Sequence, residues 1–179
     1  QWAHSDDVMH LEAGCTALRR ISSTTAVEMD KECCFERVHA PVVRMGVSVT
    51  PPPQRLDMGR MPAKFSDLNG AITQTSDLTM IRGDCSLPPG RLYHGSLIVT
   101  GRLHIGHGTE IVGDVKARNG VVVGPQVRIE GALVSEHQIQ ILEEATILGP
   151  VISETVILIS AHCRLGLPSS PTTVSAENI

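Results

Sequence analysis

The amino-acid sequence predicts an all-β fold, namely a single-stranded β-helix (solenoid) in which three six-residue sides make one 18-residue turn. The first observation is that Gly95, Gly113, Gly131 and Gly149 recur at intervals of 18 residues. The second is that apolar residues recur every six positions between them. The third is composition: 41% of the residues are hydrophobic, yet the chain has one Trp, one Tyr and two Phe. Globular cores usually rely on aromatic bulk, whereas a narrow solenoid interior accommodates aliphatic side chains.

Two apolar series run through residues 95–166, two positions apart. The first contains Val99, Ile105, Ile111, Ala117, Val123, Ile129, Ser135, Ile141, Ile147, Ser153, Ile159 and Leu165. The second contains Leu97, Leu103, Thr109, Val115, Val121, Val127, Leu133, Ile139, Ala145, Val151, Ile157 and Cys163. A pair at i and i+2 occupies one face of a β-strand, because side chains alternate with a period of two. Both series are therefore predicted to point inward.

A corner is predicted after each short strand, at the remaining odd-numbered position of each six-residue unit. These positions hold Gly101, His107, Gly113, Asn119, Pro125, Gly131, His137, Glu143, Gly149, Thr155 and Ala161. Gly and Asn tolerate a positive φ, and Pro fixes a bend. We expect about four turns in residues 95–166, spaced ~4.8 Å apart, which make a rod roughly 20 Å long. An antiparallel sandwich would not keep one six-residue phase over this length.

Four segments of the chain differ in composition. Residues 93–166 are predicted to be the solenoid domain. Residues 1–48 form an irregular N-terminal region, in which faint apolar pairs such as Val27 with Met29 indicate one or two extra turns. Residues 49–92 hold a run of three prolines and are predicted to be a linker or loop. Residues 167–179 are predicted to be a disordered tail, because polar Pro- and Ser-rich segments bury too little apolar surface to offset their ordering entropy.

The ends of the predicted rod would expose strand edges and a slice of aliphatic core, and no charged amphipathic cap follows residue 166. An uncapped end that meets a like end buries both, so we expect end-to-end assembly of identical copies. The predicted polymer interface comprises Leu97, Val99 and Leu103 at one end and Ile157, Ile159, Cys163 and Leu165 at the other.

Outward positions of the later turns are also apolar. They include Val134, Leu142, Leu148, Ile152, Val156 and Leu158. Monomeric proteins rarely leave such a patch open. Two explanations stay open: residues 1–92 fold back over this face, or the face is a lateral contact between copies.

Three stretches of the solenoid resemble the bactofilins, a family of polymer-forming bacterial cytoskeletal proteins. They are residues 95–106 (GSLIVTGRLHIG), 113–117 (GDVKA) and 127–131 (VRIEG). The resemblance implies a right-handed β-helix, unstructured Pro-rich flanks and nucleotide-independent head-to-tail polymers that act as scaffolds, often at a membrane. The chain departs from the family in the long segment that precedes the solenoid.

Charge and cysteine content narrow the function classes and the location. The formal net charge is −4 and the pI is near 6.0. Because nucleic-acid binding needs a concentrated basic surface, these values argue against a nucleic-acid-binding protein. The five cysteines are odd in number and irregularly spaced, as is typical of free thiols in the cytoplasm. No apolar run is long enough to span a membrane. The chain begins at Gln1 without an initiator Met, so we expect a fragment or processed product whose preceding segment would carry any membrane anchor.

The main alternative is a left-handed hexapeptide-repeat acyltransferase that acts as a trimer, since its repeat also places an aliphatic residue every six positions. Such an enzyme needs a His general base. The candidates are His104, His107, His137 and His162. The second inward position argues against this class, because it is often Leu or Ile rather than a small residue. No catalytic, cofactor or metal site is predicted, and the Cys and His spacings match no zinc motif. A monomeric interaction module appended to a larger membrane protein also stays open.

Overall fold

The computed structural model describes residues 2–46, 59–169, 171–177 and 179, and these form an all-β solenoid of about eight turns. The predicted fold class is thereby confirmed. The prolines of the predicted linker, Pro51, Pro52 and Pro53, lie outside the described residues.

The N-terminal stack, residues 2–46, makes two complete turns and two sides of a third. Its strands are β1 (Trp2–Ser5), β2 (Met9–Leu11), β3 (Thr16–Leu18), β4 (Arg20–Ser23), β5 (Ala26–Met29), β6 (Cys34–Phe35), β7 (Arg37–Ala40) and β8 (Val42–Met45). Neighbouring turns pair in parallel, with Met9 beside Val27 and Val27 beside Val43. The prediction of one or two extra turns in residues 1–48 therefore underestimated this region.

The main stack, residues 59–179, contains the remaining elements. Its first part has β9 (Met61–Ala63), the 3-10 helix η1 (Phe65–Asp67), β10 (Ala71–Thr75), β11 (Leu78–Ile81), β12 (Cys85–Leu87) and β13 (Arg91–His94). Its middle part has β14 (Ser96–Val99), β15 (Leu103–Ile105), β16 (Glu110–Val112), β17 (Val115–Ala117), β18 (Val121–Val123), β19 (Arg128–Ile129) and β20 (Leu133–Ser135). Its last part has β21 (Ile139–Ile141), β22 (Thr146–Ile147), β23 (Val151–Ser153), β24 (Ile157–Ile159), β25 (Arg164–Leu165) and β26 (Thr172–Ser175).

The strands stack into the three sides of a prism. The first side is a ten-stranded sheet in the order β1-β4-β7-β26-β23-β20-β17-β14-β11-β10. The second side is a nine-stranded sheet in the order β2-β5-β8-β25-β22-β19-β16-β13-β9. The third side holds β3-β6 and, separately, β12-β15-β18-β21-β24. Ten strands spaced ~4.8 Å apart give a rod roughly 43 Å long.

The 18-residue period fixes the register of the main stack. Leu97 lies beside Val115, and Val115 lies beside Leu133. Both predicted inward series are buried except for Ile159, which is half-buried. The buried hydroxyls find partners: Thr109 donates to the Pro88 carbonyl (3.0 Å) and Ser153 to the His137 carbonyl (2.9 Å). Ser135 Oγ accepts from the His137 N–H (3.1 Å). The polar residues in the inward series thus cost little, because each hydroxyl replaces its water with a backbone partner.

Two kinds of corner keep the turns in register. At one corner the backbones of successive turns approach so closely that a Cβ on Gly131 would lie 2.5 Å from the Gly113 carbonyl oxygen. At another corner the chain takes a positive φ every 18 residues, at Gly108 (66°), Gln126 (56°), Glu144 (59°) and His162 (60°). The first corner therefore requires glycine for space, whereas the second requires a left-handed backbone that glycine adopts most easily.

Two domain predictions are corrected. The described part of residues 49–92, predicted to be a linker or loop, forms β9 to β12 and the first residues of β13, and it extends the solenoid at its start, with Thr79 beside Leu97. The predicted tail contains β26, in which Thr172 and Val174 are buried. Their alternation with Thr173 and Ser175 follows the period of a half-buried strand, which the Ser- and Thr-rich composition masked.

Candidate assembly surfaces

The seven residues predicted to form a polymer interface lie inside the rod, so their predicted placement at open ends is corrected. Leu97, Val99 and Leu103 are covered because β11 and β12 stack on the strands that carry them. At the other end Ile157, Cys163 and Leu165 are buried, and Ile159 packs half-buried against the core. The solenoid therefore extends beyond the predicted residues 93–166 at both ends.

The rod end near residue 165 is occupied by the N-terminal stack, in a contact that we call the junction. Two antiparallel strand pairs form it: β8 with β25, and β7 with β26. Val43 lies beside Leu165, and Val38 lies beside Val174, all four fully buried. The two stacks therefore meet with opposite strand directions, whereas turns within each stack pair in parallel.

Backbone and side-chain hydrogen bonds cross the junction. The Met45 N–H donates to the Cys163 carbonyl (3.2 Å), and the His162 N–H donates to the Met45 carbonyl (2.7 Å). Outside the core, His39 Nδ1 lies 3.0 Å from Thr173 Oγ1. On the second side of the prism, Arg44 lies directly beside Arg164, so two like charges face each other across this strand pair.

At the outer end of the N-terminal stack, all three sheets end in the same turn, residues 2–18, which we call the open turn. Its strands β1, β2 and β3 are the last in their sheets as far as the described residues extend. Trp2 is 72% exposed and Val8 is 41% exposed. Met9 and Leu11 are half-buried and pack against the core. The open turn thus presents strand edges together with apolar side chains.

The opposite end of the rod is closed. The Phe65 ring from η1 stacks on Tyr93, with ring centroids 4.6 Å apart and planes 5° from parallel. Both rings are buried, at 3% and 1% exposure. The strand β10 pairs with β11 in the antiparallel direction and so reverses the chain at the edge of the first side. Half of the chain's aromatic residues thus serve to cover the last layer of aliphatic core.

Exposed apolar side chains lie on two sides of the main stack. Ile152, 40% exposed, and the half-buried Val134 lie on the first side, and Leu158, 47% exposed, lies on the third side. A shallow groove of about 540 Å³ crosses the first side between β11 and β20, and Ile98, Lys116 and Val134 line it. The described part of residues 1–92 does not fold over this face but extends the rod at both ends. That explanation is therefore wrong, and a lateral contact between copies stays a prediction.

The histidines considered for catalysis do not converge. His104, His107, His137 and His162 are all exposed, and they lie in three turns of the rod, of which His104 and His107 share one. His137 Nδ1 is 3.0 Å from the Arg118 carbonyl oxygen, a contact that holds the imidazole against the neighbouring turn. Neither the 540 Å³ groove nor a cavity of about 150 Å³ beside Phe35 is lined by a His among the described residues.

Thiols and carboxylates are also dispersed. Among the described residues, no group of three or more His, Cys, Asp or Glu side chains could hold a metal ion. The five cysteines are free. Burial raises the pKa of the Cys163 thiol to about 12, and it raises the pKa of Cys85 as well. Such thiols are poor nucleophiles, because the thiolate is the reactive form.

The chain matches no known family model, no curated protein and no solved structure. In the described residues, no helix has the length and apolar character needed to cross a membrane.

The sequence predicted only one or two irregular turns in residues 1–48, fewer than the N-terminal stack contains, and it did not predict the Phe65–Tyr93 closure. A signal for the first was present, since Met9 and Val27, like Leu11 and Met29, are 18 residues apart. No local sequence pattern predicts that this stack docks on β25 and β26 of the main stack in the antiparallel direction.

Proposed function

We propose that the protein is a structural scaffold that assembles through the ends of its solenoid into polymers without nucleotide, like the bactofilins that residues 95–131 resemble. The observation that carries this proposal is the contrast between the two rod ends. As far as the described residues extend, three sheets end at each end of the rod. At the open turn the edge strands lie beside the exposed Trp2 and Val8, whereas at the opposite end the stacked Phe65 and Tyr93 rings cover the core. An edge strand is a template for pairing with another chain, and proteins that avoid assembly usually blunt such edges.

The open turn offers hydrogen-bonding groups in a known direction. The Ser5 carbonyl accepts from Thr24, and the Leu11 carbonyl accepts from Asp30, so these residues face the next turn of their own stack. Successive residues of a strand direct their backbone groups to opposite edges. The backbone groups of His4 and His10 therefore face away from the rod, where a second copy can pair with them.

A contact between two open turns is favoured over a head-to-tail contact. In a head-to-tail arrangement the open turn would meet the end where the Phe65 ring covers the core and β10 turns back on β11, although Met61 and Ile72 remain exposed at that end. Two open turns instead bury the same strand edges and the same side chains, Trp2 and Val8, on both copies. Such a contact is isologous, and two-fold contacts of this kind are the commonest in homo-oligomers. Each chain has one open turn, so this contact alone joins two chains, and growth into a polymer needs a second contact.

The dispersed histidines and the low nucleophilicity of the buried thiols support a scaffold over the acyltransferase alternative. The free cysteines favour a reducing compartment, and we place the scaffold in the cytoplasm. The partner is another copy of the same chain.

The test replaces His4 and His10 by Pro in one variant. Proline removes the two edge N–H groups without removing a donor to the neighbouring turn, and edge strands tolerate it. We expect self-association to weaken about a thousandfold, because each of the two lost hydrogen bonds contributes ~1 kcal/mol and each is lost on both copies, about 4 kcal/mol in all. The readouts are light scattering and negative-stain electron microscopy of the full chain without nucleotide.

The matched control replaces His4 and His10 by Ala, which removes the imidazoles and keeps both backbone N–H groups. This control should assemble like the wild type. Circular dichroism checks that both variants keep the β-solenoid. If the Pro variant assembles as well as the Ala variant, the open turn is not the contact between copies.

A further inference from the structure

The junction offers a second contact between copies, because its occupant is a separate stack of turns within the same chain. The N-terminal stack has its own parallel pairing, and it reaches the main stack through β7 and β8. Residues 47–60 connect the two stacks in sequence. A second copy carries an identical N-terminal stack, so it can supply every contact of the junction unchanged.

We propose that the junction exchanges between copies: the N-terminal stack of one chain docks on β25 and β26 of another. This inference deepens the proposed function and rests on it, since it names the partner and the step that permits growth. Exchange of an identical element between protomers is a low-cost route to assembly, because the exchanged contacts are the same as those within one chain.

Three features make the junction the place where the rod opens. The strand direction reverses there, while every other pairing between full turns is parallel among the described residues. The pair β8–β25 is short and joins Arg164 to Arg44 and Leu165 to Val43. Like charges that lie directly opposite on neighbouring strands destabilise the pairing, and the ion pair of Arg44 with Glu28 offsets part of this repulsion.

The spacing between turns also changes next to the junction. Within the main stack paired residues are 18 apart, as for Leu97 and Val115. Ile21 instead pairs with Val38, and Val27 with Val43, so the last turn of the N-terminal stack is shorter by one or two residues on these sides. The two stacks therefore do not continue one uniform prism, and they meet as two separately wound pieces.

Exchange changes how many open turns one assembly unit carries. A chain whose N-terminal stack docks on its own main stack has a single open turn, so pairing of open turns stops at a dimer. Two chains that exchange their N-terminal stacks form a unit with two open turns, and such a unit can grow at both. At low concentration docking within one chain wins, because the connecting segment keeps the stack at a high effective concentration.

The test uses thiols placed at Arg44 and Arg164, which are partners across the junction and lie on the outside of the rod. All variants carry Cys34→Ser, because Cys34 is the exposed native thiol. Arg44→Cys chains and Arg164→Cys chains are mixed, allowed to assemble and treated with a short bifunctional thiol reagent. We expect covalent dimers that contain one chain of each kind. Their absence from assembled material would overturn the proposal.

The second arm locks the junction within one chain. The double variant Arg44→Cys/Arg164→Cys is cross-linked at low concentration and then concentrated. We expect the locked chain to stop at dimers, while the same variant without cross-linking polymerises. The matched control is Val122→Cys/Gln140→Cys, whose partners lie in neighbouring turns of the main stack on the outside of β18 and β21. Cross-linking this control should leave polymerisation unchanged.

The outcomes separate this inference from the proposed function. If the locked chain polymerises like the unlocked chain, exchange is refuted and the scaffold function stands. If the wild type and the unlocked variant never pass beyond single copies, the scaffold function fails, and the exchange proposal fails with it.

Discussion

A close backbone contact between turns provides a sharp test of the stacked architecture. Gly131 lies at a corner where its N–H donates to the Gly113 carbonyl (3.1 Å), and the following Ala132 N–H donates to Asp114 Oδ1 (2.8 Å). A Cβ at position 131 would lie 2.5 Å from the Gly113 oxygen and 2.4 Å from Asp114 Oδ1. Gly131→Ala therefore forces two turns apart.

The size of the effect follows from these distances. Ordinary contact begins near 3.4 Å, so the corner must open by about 0.9 Å, which disrupts both hydrogen bonds. Each lost bond costs ~1 kcal/mol, and overpacking of a filled site costs ~1–3 kcal/mol, of which relaxation recovers part. We expect a loss of about 2–4 kcal/mol in unfolding free energy. For a chain of this size that corresponds to a fall in Tm of roughly 4–16 °C.

Thermal unfolding followed by circular dichroism measures this change, and two other glycines provide controls. A Cβ at Gly59 meets no atom within 4 Å, so Gly59→Ala should be nearly neutral. Gly108 is equally open but has a φ of +66°, so Gly108→Ala should cost ~1 kcal/mol for the left-handed backbone alone. If Gly131→Ala and Gly59→Ala have the same Tm, the backbones of neighbouring turns are not in close contact at this corner.

Two further predictions concern the other corner and the core. Glu144 has a φ of 59°, so Glu144→Gly should raise the unfolding free energy by ~0.5–1 kcal/mol, measured by urea titration. The relief of backbone strain exceeds the entropy that glycine adds to the unfolded chain. A loss of the same size would contradict the left-handed backbone at this corner. Burial raises the pKa of Cys163 to about 12 from an ordinary value of 9.0. Above pH ~9 unfolding therefore releases a proton from this thiol. The unfolding free energy then falls by up to ~1.4 kcal/mol per pH unit between about pH 9 and pH 12. In Cys163→Ala the unfolding free energy should fall less steeply between about pH 9 and 10.5 than in the wild type. If the two proteins lose stability with pH at the same rate, Cys163 is not a buried thiol.

The solenoid could be predicted from sequence because its period is local and strict. In residues 95–166 each side has six residues, so the inward positions keep one phase and all but Ile159 are buried as predicted. The N-terminal stack was harder to recognise because its last turn shortens, with Val27 paired to Val43 rather than to a residue 18 positions on. A variable turn length removes the fixed period on which the prediction depended.

The assembly surfaces were predicted less well, because they depend on which segments meet at the rod ends. Aliphatic residues such as Leu97 and Leu165 look the same in the sequence whether a turn covers them or not. Their covering strands, β11 and β8, come from segments with weak or interrupted patterns. The antiparallel approach of β8 to β25 is a long-range pairing, and no local propensity specifies it.

The most direct test of the scaffold function is negative-stain electron microscopy of the wild-type chain at micromolar concentration without nucleotide, combined with light scattering for mass. The account predicts filaments in which each chain adds a rod roughly 43 Å long, from ten strands at ~4.8 Å spacing. Discrete single copies would contradict assembly through the open turn. Compact trimers would contradict it as well and would move the search for activity to His104, His107, His137 and His162.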